Sequence, residues 1–374
     1  MAYTAPALTA LLGTLGLILF LRPAAALFGL IDRPDSRKRH AGEVPLVGGI
    51  AMFGGIVAGV LVATGADRFS LELVIASTLL VAVGTFDDRR NLHYAIRLTA
   101  QLGAALIMII GANLVVADVG APFGTGIVHL GPLAITASLL ITLTVINAFN
   151  FLDGVDGLAG SVALIALIAV AFAGGWAAPS TVMAVVAIAA IIGFLFFNFP
   201  RVGENRVRTF MGDAGSTFLG LLVVWLTIEI SQGEARHISP VIGLWFALVP
   251  IADLFQCFVR RIARKQSPTT AGLDHSHHIL LGAGMNSRQV VAVLTGLAAL
   301  YAGFGLVGAK AGVPDFAMFT FWLALGAAQF WIVKSIAKWF IARSGSAKPE
   351  STETTNGKQT SDNSIKPSDT VIKI

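Results

Sequence analysis

The chain has 374 residues, of which 55% are hydrophobic and only 13% charged, with a formal net charge of +5. Its mean hydropathy is +0.78. A soluble domain normally carries about 25% charged residues, so this composition excludes an ordinary water-soluble enzyme and indicates a membrane protein. The single cysteine, Cys257, excludes an intramolecular disulfide and a metal site built from several cysteines.

Apolar runs long enough to cross a bilayer recur along the chain. We predict eleven transmembrane helices, at residues 4–28, 46–64, 70–86, 96–118, 131–149, 158–175, 180–198, 214–231, 239–259, 289–309 and 314–341. The glycine-rich stretch 111–131 has an alternative interpretation as a re-entrant or extended loop. The first run has no basic residue before its apolar core and is too long for a typical signal-peptide core, so we predict that it is retained.

The basic residues predict the orientation of these helices. Segments that follow odd-numbered spans carry Arg33, Arg37, Lys38, Arg39, Arg89, Arg90, Arg201, Arg206, Arg208, Arg260, Arg261, Arg264, Lys265 and the C-terminal lysines. Segments that follow even-numbered spans offer only Arg68, Arg236 and Lys310. The positive-inside rule therefore predicts an outside N-terminus and a cytoplasmic C-terminus. The net positive charge is attributed to topology and anionic lipid, not to nucleic acid.

The fold class predicted is an all-α integral membrane protein, a polytopic bundle of about eleven transmembrane helices with a cytoplasmic-face active-site cleft. One multi-helix transmembrane catalytic domain is predicted for residues 1–343. Residues 344–374 are polar and bury little apolar surface, which predicts a disordered cytoplasmic tail.

Four polar segments fall on the predicted cytoplasmic side. They are DDRRN (87–91), NAFNFLDGVDGL (147–158), FPRVGENRVRTFMGDAGS (199–216) and RRIARKQSPTTAGLDHSHH (260–278). The opposite side has no comparable polar segment in the sequence. Polar groups gathered at one membrane face indicate a functional site at that face.

Asp87 and Asp88 are adjacent at a span end, where two carboxylates repel unless they share a cation or a proton. The alternative is a solvated helix end neutralised by Arg89 and Arg90. The sequence alone leaves both interpretations of this pair open.

Asp153 and Asp156 are three residues apart, and each is followed by glycine. The glycines favour a turn whose backbone N–H groups are free to bind an anion. Asp213 also lies in a glycine-flanked segment, at the entry to the eighth span, where backbone can approach a phosphate. The alternative for Asp156 and for Asp213 is a helix N-cap, with Ser216 competing for the second position.

The segment DHSHH contains His275, His277 and His278. Histidine clusters suggest zinc, but no neighbouring cysteine and no fourth ligand at the usual spacing support a structural zinc site. The nearby Arg260, Arg261, Arg264 and Lys265 favour phosphate binding. A basic loop that binds lipid headgroups is the alternative. Together, the carboxylates, the asparagine amides and the basic loop indicate a site for a divalent cation and a polyphosphate, with Mg²⁺ favoured and Mn²⁺ as the alternative ion.

The order of DD, NxxNxxDGxDGL, FMGDxGS and HxHH resembles the polyprenyl-phosphate N-acetylhexosamine-1-phosphate transferases, over about residues 30–285, including RKRHAGEVPLVGGIAMF (37–53). The HxHH pattern is similar to that of the branch of this family that uses UDP-GlcNAc. The phospho-MurNAc-pentapeptide branch has three consecutive histidines instead. Lysine is absent from 91–101, where some relatives carry one, and Arg97 is the nearest cation.

The resemblance implies a role for each matching residue. Asp213 and Asn150 would hold Mg²⁺ against the sugar-nucleotide diphosphate, while Asp87 and Asp88 would act as catalytic residues near the attacking lipid phosphate. The other residues would bind substrate. Of these, Asp153 and Asp156 are expected at the nucleotide, Phe210 is expected to stack on uracil, and His275, His277 and His278, with Arg261 or Arg264, are expected to bind the sugar and phosphates.

The resemblance also implies the activity. A phospho-N-acetylhexosamine, most simply phospho-GlcNAc, would pass from a UDP-sugar to undecaprenyl phosphate in the bacterial inner membrane, with release of UMP. The expected partners are UDP-N-acetylhexosamine, undecaprenyl phosphate and the lipid bilayer, without nucleic acid; a homodimer is compatible with them. The alternatives are a phospho-MurNAc-pentapeptide transferase, a cation-coupled secondary transporter and a non-catalytic lipid-binding scaffold.

Overall fold

A computed structural model describes residues 3–33, 42–64, 68–175, 179–199, 208–233, 236–265 and 274–345. Across these ranges the helices are α1 (Thr4–Ala24), α2 (Gly48–Thr64), α3 (Arg68–Arg90), α4 (Tyr94–Leu106), α5 (Ala134–Leu152), α6 (Leu158–Ala173), α7 (Pro179–Asn198), α8 (Gly212–Ser231), α9 (Pro240–Gly243), α10 (Leu248–Ala263), α11 (Ser276–Gly282), α12 (Ser287–Lys310) and α13 (Asp315–Gly345). A π-helical segment, Ile107–Gly111, continues α4, and 3₁₀ turns precede α5 (Gly131–Leu133) and α10 (Leu244–Ala247).

Two short strands complete the described elements. β1 (Ile31–Asp32) pairs antiparallel with β2 (Val44–Pro45), with Ile31 opposite Pro45 and Asp32 opposite Val44. The pair follows α1 and leads into α2. The chain is thus an almost entirely helical membrane protein, which confirms the predicted fold class.

Each of the eleven predicted spans coincides with a helix. Eight helical segments in the described ranges are long and apolar enough to cross a membrane, while α2 and α6 are shorter apolar helices. The number of helices that cross the bilayer therefore remains a prediction. The predicted end of the transmembrane domain at residue 343 is two residues short of the end of the last helix, because α13 continues to Gly345. The predicted tail beyond it lies outside the described residues.

The predicted span at 96–118 is too long. The helix ends at Gly111, and residues 112–130 form an extended loop, as the glycine content had indicated in the alternative interpretation. Gln232, at the end of α8, accepts the Ala117 N–H at 2.9 Å and donates to the Asp118 carbonyl at 3.0 Å. Arg236 pairs with the Asp118 carboxylate at 3.1 Å. These bonds anchor the loop to the C-terminal end of α8.

Helix α8 is the central helix of the bundle. Its sequence, GDAGSTFLGLLVVWLTIEIS, is mostly apolar after the first turn, and most of its residues are buried, as expected of a helix surrounded by protein. It packs against α2, α3, α5 and α6, and Trp225 on it is fully buried. Because the opening residues of α8 include Asp213, this packing fixes where that carboxylate lies.

Helices α5 and α8 approach closely at Gly220. A Cβ atom added to Gly220 would lie 2.7 Å from the Ile146 Cα and 3.1 Å from the Val145 carbonyl oxygen. Close contact of this kind, with a small residue at the crossing, is typical of helix pairs in membranes. It places the C-terminal end of α5 beside the N-terminal end of α8.

We expect Gly220→Ala to destabilise the protein by about 1–3 kcal/mol, because a methyl group there forces α5 and α8 apart. Thermal unfolding of the detergent-purified protein measures the change. Gly296→Ala on α12 is the matched control, since an added Cβ there meets no atom within 4 Å. Equal unfolding temperatures for the two variants would contradict the close crossing.

Candidate active site

Asp88 joins the end of α3 to the beginning of α8. Its Oδ1 accepts the Asp213 N–H at 2.8 Å, and its Oδ2 accepts the Ala214 N–H at 3.4 Å. The first N–H groups of a helix have no partner within that helix, and the N-terminal end of its dipole favours a negative charge. Gly212 has φ +67°, and a Cβ there would overlap the Asp88 carboxylate. Asp88 therefore caps α8 from a neighbouring helix.

Arg97 connects Asp87 with Asp213. One guanidinium nitrogen, Nη1, lies 2.9 Å from Asp87 Oδ2 and 3.2 Å from Asp213 Oδ2. The other oxygen of the buried Asp87 accepts the Leu92 N–H at 2.6 Å. The cation bonded to Asp87 thus comes from α4, whereas the alternative interpretation had assigned that neutralisation to Arg89 and Arg90.

Asn150, near the end of α5, contacts the same carboxylate from the opposite side. Its amide nitrogen donates to Asp213 Oδ1 at 2.8 Å and to the Ser216 hydroxyl at 3.0 Å. One turn earlier, Asn147 donates to the Gln101 side chain at 2.7 Å. Both asparagines of the predicted motif therefore face polar groups at this end of the bundle.

The Asp-rich turn at residues 153–157 follows α5 directly. Gly157, with φ +82°, is the N-cap residue of α6, so the alternative interpretation of Asp156 as the N-cap is wrong. Burial and the negative charges of Asp213, Asp156 and Asp88 raise the pKa of Asp153 well above its usual value. Acidic side chains are therefore concentrated between α3, α8 and this turn, at the expense of their ionised forms.

Asn198 holds the Asp-rich turn to the segment that precedes α8. Its buried side chain accepts the Gly157 N–H at 2.7 Å and donates to the Thr209 carbonyl at 2.8 Å. The two segments that carry Asp156 and Asp213 are therefore joined through one amide. Sequence reasoning missed Asn198 because it lies at the end of an apolar span without a polar neighbour.

The histidine segment packs against the same turn. His277 is only 1% exposed, and its ring fills the space that a Cβ atom on Gly154 would need. The rings of His275 and His277 are parallel, with centroids 5.6 Å apart. The ring of Phe151 lies 5.8 Å from that of His275. The structure thus brings the predicted histidines together with the predicted Asp-rich turn.

His277 and His278 are neutral near pH 7. Burial, and then the neighbouring His278, lowers the pKa of His277 to about 3. Burial and then His275 lower the pKa of His278 as well. Among the described residues, neither ring nitrogen of His277 has a hydrogen-bond partner.

Arg261 and Arg264 lie beside Asp274, at the start of the histidine segment. Arg264 Nη1 is 2.9 Å from Asp274 Oδ1, and the buried Arg261 has its Nε 3.7 Å from Asp274 Oδ2. Arg260 donates to the Asp274 carbonyl and lies over the Phe330 ring of α13. These contacts fix the segment to α10, and phosphate binding by Arg261 and Arg264 stays a prediction.

Phe210 lies close to Asp213 in sequence but packs towards the β1–β2 region. Its partly buried ring contacts a small apolar cluster formed by Ala25, Leu30, Leu46 and Val47. Its N–H donates to the Pro45 carbonyl at 2.9 Å, and its carbonyl accepts the Gly48 N–H at 2.9 Å. Stacking of Phe210 on uracil stays a prediction.

Two groups of side chains have the chemistry of metal ligands. Asp213 and Asn150 carry the carboxylate and amide oxygens that Mg²⁺ prefers, and the Asn150 amide nitrogen bonds the Asp213 carboxylate directly. In the second group, ligand atoms of Asp253, Cys257 and His275 lie within 4.8 Å of one another. There, Asp253 bonds His275 directly, and Arg260 donates to the Cys257 sulfur at 3.3 Å. Hydrogen bonds account for this second group.

The fold and the site define a polytopic membrane enzyme with an acidic site at one end of a helical bundle. Residues 70–231 match the family model described as "Glycosyl transferase family 4". The undecaprenyl-phosphate alpha-N-acetylglucosaminyl 1-phosphate transferase of Escherichia coli K12 is 34% identical over 82% of this chain and 84% of the relative. The Salmonella typhimurium protein of that name is 35% identical over 82% of this chain and 84% of the relative. The Haemophilus influenzae protein of that name is 30% identical over 82% of this chain and 87% of the relative. The chain belongs to glycosyl transferase family 4.

We expect acidification to destabilise the fold through His277. Its usual pKa of 6.5 falls to about 3 in the folded chain, so between these values the unfolded chain binds a proton that the folded chain does not. Stability from the neutral ring is complete above pH 6.5 and is lost as the pH falls towards 3, by up to about 1.4 kcal/mol per pH unit. Thermal unfolding in detergent between pH 7.5 and 5 measures this loss.

The variant His277→Gln is the comparison for that measurement. Glutamine does not titrate. We therefore expect the free energy of unfolding of the variant to fall by up to about 2 kcal/mol less than that of the wild type between pH 7.5 and 5. Identical pH profiles for the two proteins would show that His277 is not held neutral in the folded state.

Proposed function

We propose that this enzyme transfers phospho-N-acetylglucosamine from UDP-GlcNAc to undecaprenyl phosphate and releases UMP. The single observation that carries the proposal is the meeting of Asp88, Asp213, Asn150 and the histidine segment at one end of the bundle. Relatives that carry this activity in their names share 30–35% identity over 82% of the chain, which supports the same assignment.

In the proposed reaction an oxygen of the lipid phosphate attacks the β-phosphorus of the UDP-sugar. A new P–O–P bond joins lipid and sugar phosphates, the bond between the α- and β-phosphates breaks, and UMP leaves with that bonding pair. The lipid phosphate is already ionised at pH 7, because its second pKa is about 6. Catalysis then depends mostly on positioning and on stabilising charge, as in phosphoryl transfer generally.

Asp213 and Asn150 would hold Mg²⁺, which neutralises charge on the diphosphate and on the departing UMP when it is bound. Arg97 is the nearby cation of the chain itself. Its side chain is 41% exposed and bonds both Asp87 and Asp213. We infer that Arg97 attracts the phosphates and, by bonding both carboxylates, offsets the repulsion between them.

Asp87 and Asp88 would act near the lipid phosphate. Both already make defined hydrogen bonds, Asp87 to Arg97 and the Leu92 N–H, and Asp88 to the start of α8. Such bonds favour a positioning role for Asp88. Direct attack and an aspartyl-phosphate intermediate on Asp87 both agree with these contacts.

The remaining roles belong to the donor substrate. Asp153, Asp156 and Phe210 would bind the nucleotide, and His275, His277 and His278 would bind the sugar and phosphates with Arg261 or Arg264. We propose that this end of the bundle faces the cytoplasm of a bacterium, in the inner membrane, because the described basic residues Arg89, Arg90 and Arg260 lie at the same end. The donor would then come from the cytoplasm and the acceptor from the bilayer.

We expect Asp213→Asn to lower UMP release by about 10²–10³-fold, since it removes a charged group placed at the reacting phosphates. The assay incubates membranes that contain the protein with undecaprenyl phosphate, Mg²⁺ and a panel of UDP-sugars. Asp118→Asn is the matched control, because Asp118 is also an arginine-paired aspartate but lies beside the other end of α8. The control should retain turnover.

The wild-type protein in the same assay tests the alternatives. Release of UMP from UDP-MurNAc-pentapeptide and not from UDP-GlcNAc would change the substrate assignment. Cation-driven uptake in proteoliposomes without any UMP release would replace the transferase with a transporter. Near-normal turnover of Asp213→Asn would remove Asp213 from the catalytic site.

A further inference from the structure

Asp253 is a buried carboxylate in the middle of α10 that no part of the proposed mechanism uses. It is 2% exposed, and it is surrounded by apolar residues of its own helix, such as Ile251 and Leu254. An ionisable side chain inside a membrane helix is costly to bury and is a functional-site hypothesis by default. Its partners therefore indicate what it does.

Both oxygens of Asp253 bind the histidine segment. Oδ2 lies 2.7 Å from Nδ1 of His275, and Oδ1 accepts the Ser276 N–H at 2.7 Å. A carboxylate offers only acceptors, so Nδ1 of His275 carries a proton and donates it to Asp253. Two bonds to consecutive residues fix both the position of the segment and the orientation of one ring.

The oriented ring contacts the donor site. The His275 ring stacks on the His277 ring. The His277 ring in turn contacts Gly154, which follows Asp153 in the Asp-rich turn. A continuous series of contacts therefore runs from Asp253 through His275 and His277 to the turn. The buried nitrogens of His277, which have no partner among the described residues, are next to that turn.

We propose that Asp253 is a positioning residue that sets the tautomer and orientation of His275, and thereby holds the histidine segment against the Asp-rich turn for binding of the UDP-sugar. This inference rests on the proposed transferase function. Carboxylates that orient metal-binding histidines change affinity or activity by about 10–100-fold when they are removed, and we expect an effect of the same size here.

Asp253→Asn tests the proposal because asparagine keeps the size of the side chain but presents an N–H group to one partner. We expect kcat/KM for UDP-GlcNAc to fall about 10–100-fold, while KM for undecaprenyl phosphate stays near that of the wild type. Cys257→Ala is the matched control, because its sulfur also lies near His275 Nδ1, at 3.4 Å, but makes no contact with Ser276 N–H. The control should have nearly wild-type kinetics.

A double-mutant cycle separates positioning from a general effect on the fold. If Asp253 acts through His275, its substitution has little left to remove once His275 is alanine. The double variant Asp253→Asn/His275→Ala should then have a kcat/KM no more than about twofold below that of His275→Ala, a difference within the usual scatter of such cycles. Losses that multiply in full would overturn the proposal. An equal rise in the KM values of both substrates for Asp253→Asn would overturn it as well.

The wild-type protein provides a measurement that needs no folded variant at position 253. In ¹⁵N-histidine-labelled protein, the His275 signals, assigned by their loss in His275→Ala, should show a proton on Nδ1. A proton on Nε2 alone would overturn the proposal. If the wild type releases no UMP from any UDP-sugar, the transferase function fails, and the tautomer of His275 still decides whether Asp253 holds the segment.

Discussion

The hydrogen bonds from Asp88 to the first N–H groups of α8 are the interaction on which the site depends. They connect the end of one helix to the beginning of the central helix, and so bring Asp87 and Asp213 within reach of one arginine. A helix N-terminus without a capping side chain leaves several N–H groups unsatisfied, which is expensive in a membrane protein. The same carboxylate therefore satisfies the backbone and builds the acidic site.

A second constraint acts from the other side of the site. The Asp-rich turn has only local backbone hydrogen bonds, such as those from the Gly154 N–H to the Leu152 carbonyl at 2.8 Å and from the Leu158 N–H to the Val155 carbonyl at 2.9 Å, and neighbouring segments hold it in place. Asn198 bonds its Gly157 N–H, and His277 packs on its Gly154. The turn is thereby held between the segment before α8 and the histidine segment. Three polar segments that are far apart in the sequence become one surface.

A bilayer demands long apolar helices whose backbone groups are all hydrogen-bonded, so hydropathy was enough to locate the helices. The sequence motifs then predicted that Asp213 and Asn150 lie at one end of the bundle. Asn198 and Asp253 were not found, since one lies at a span end and the other is a single acid within a span. The presence of Asp253 inside an apolar run was a signal that could have been used. The glycines of 111–131 indicated the extended loop at 112–130 as an alternative, but the apolar residues around them favoured a longer span at 96–118.

The contact between Gly154 and His277 also has an evolutionary consequence. A methyl group at position 154 would occupy the space of the imidazole ring, so neither position is free to drift by itself. A larger residue at 154 is tolerated only if position 277 becomes smaller or the histidine segment moves. We therefore expect these two positions to change together among descendants of this chain, and a lone substitution at either one to be removed by selection before its neighbours can adjust.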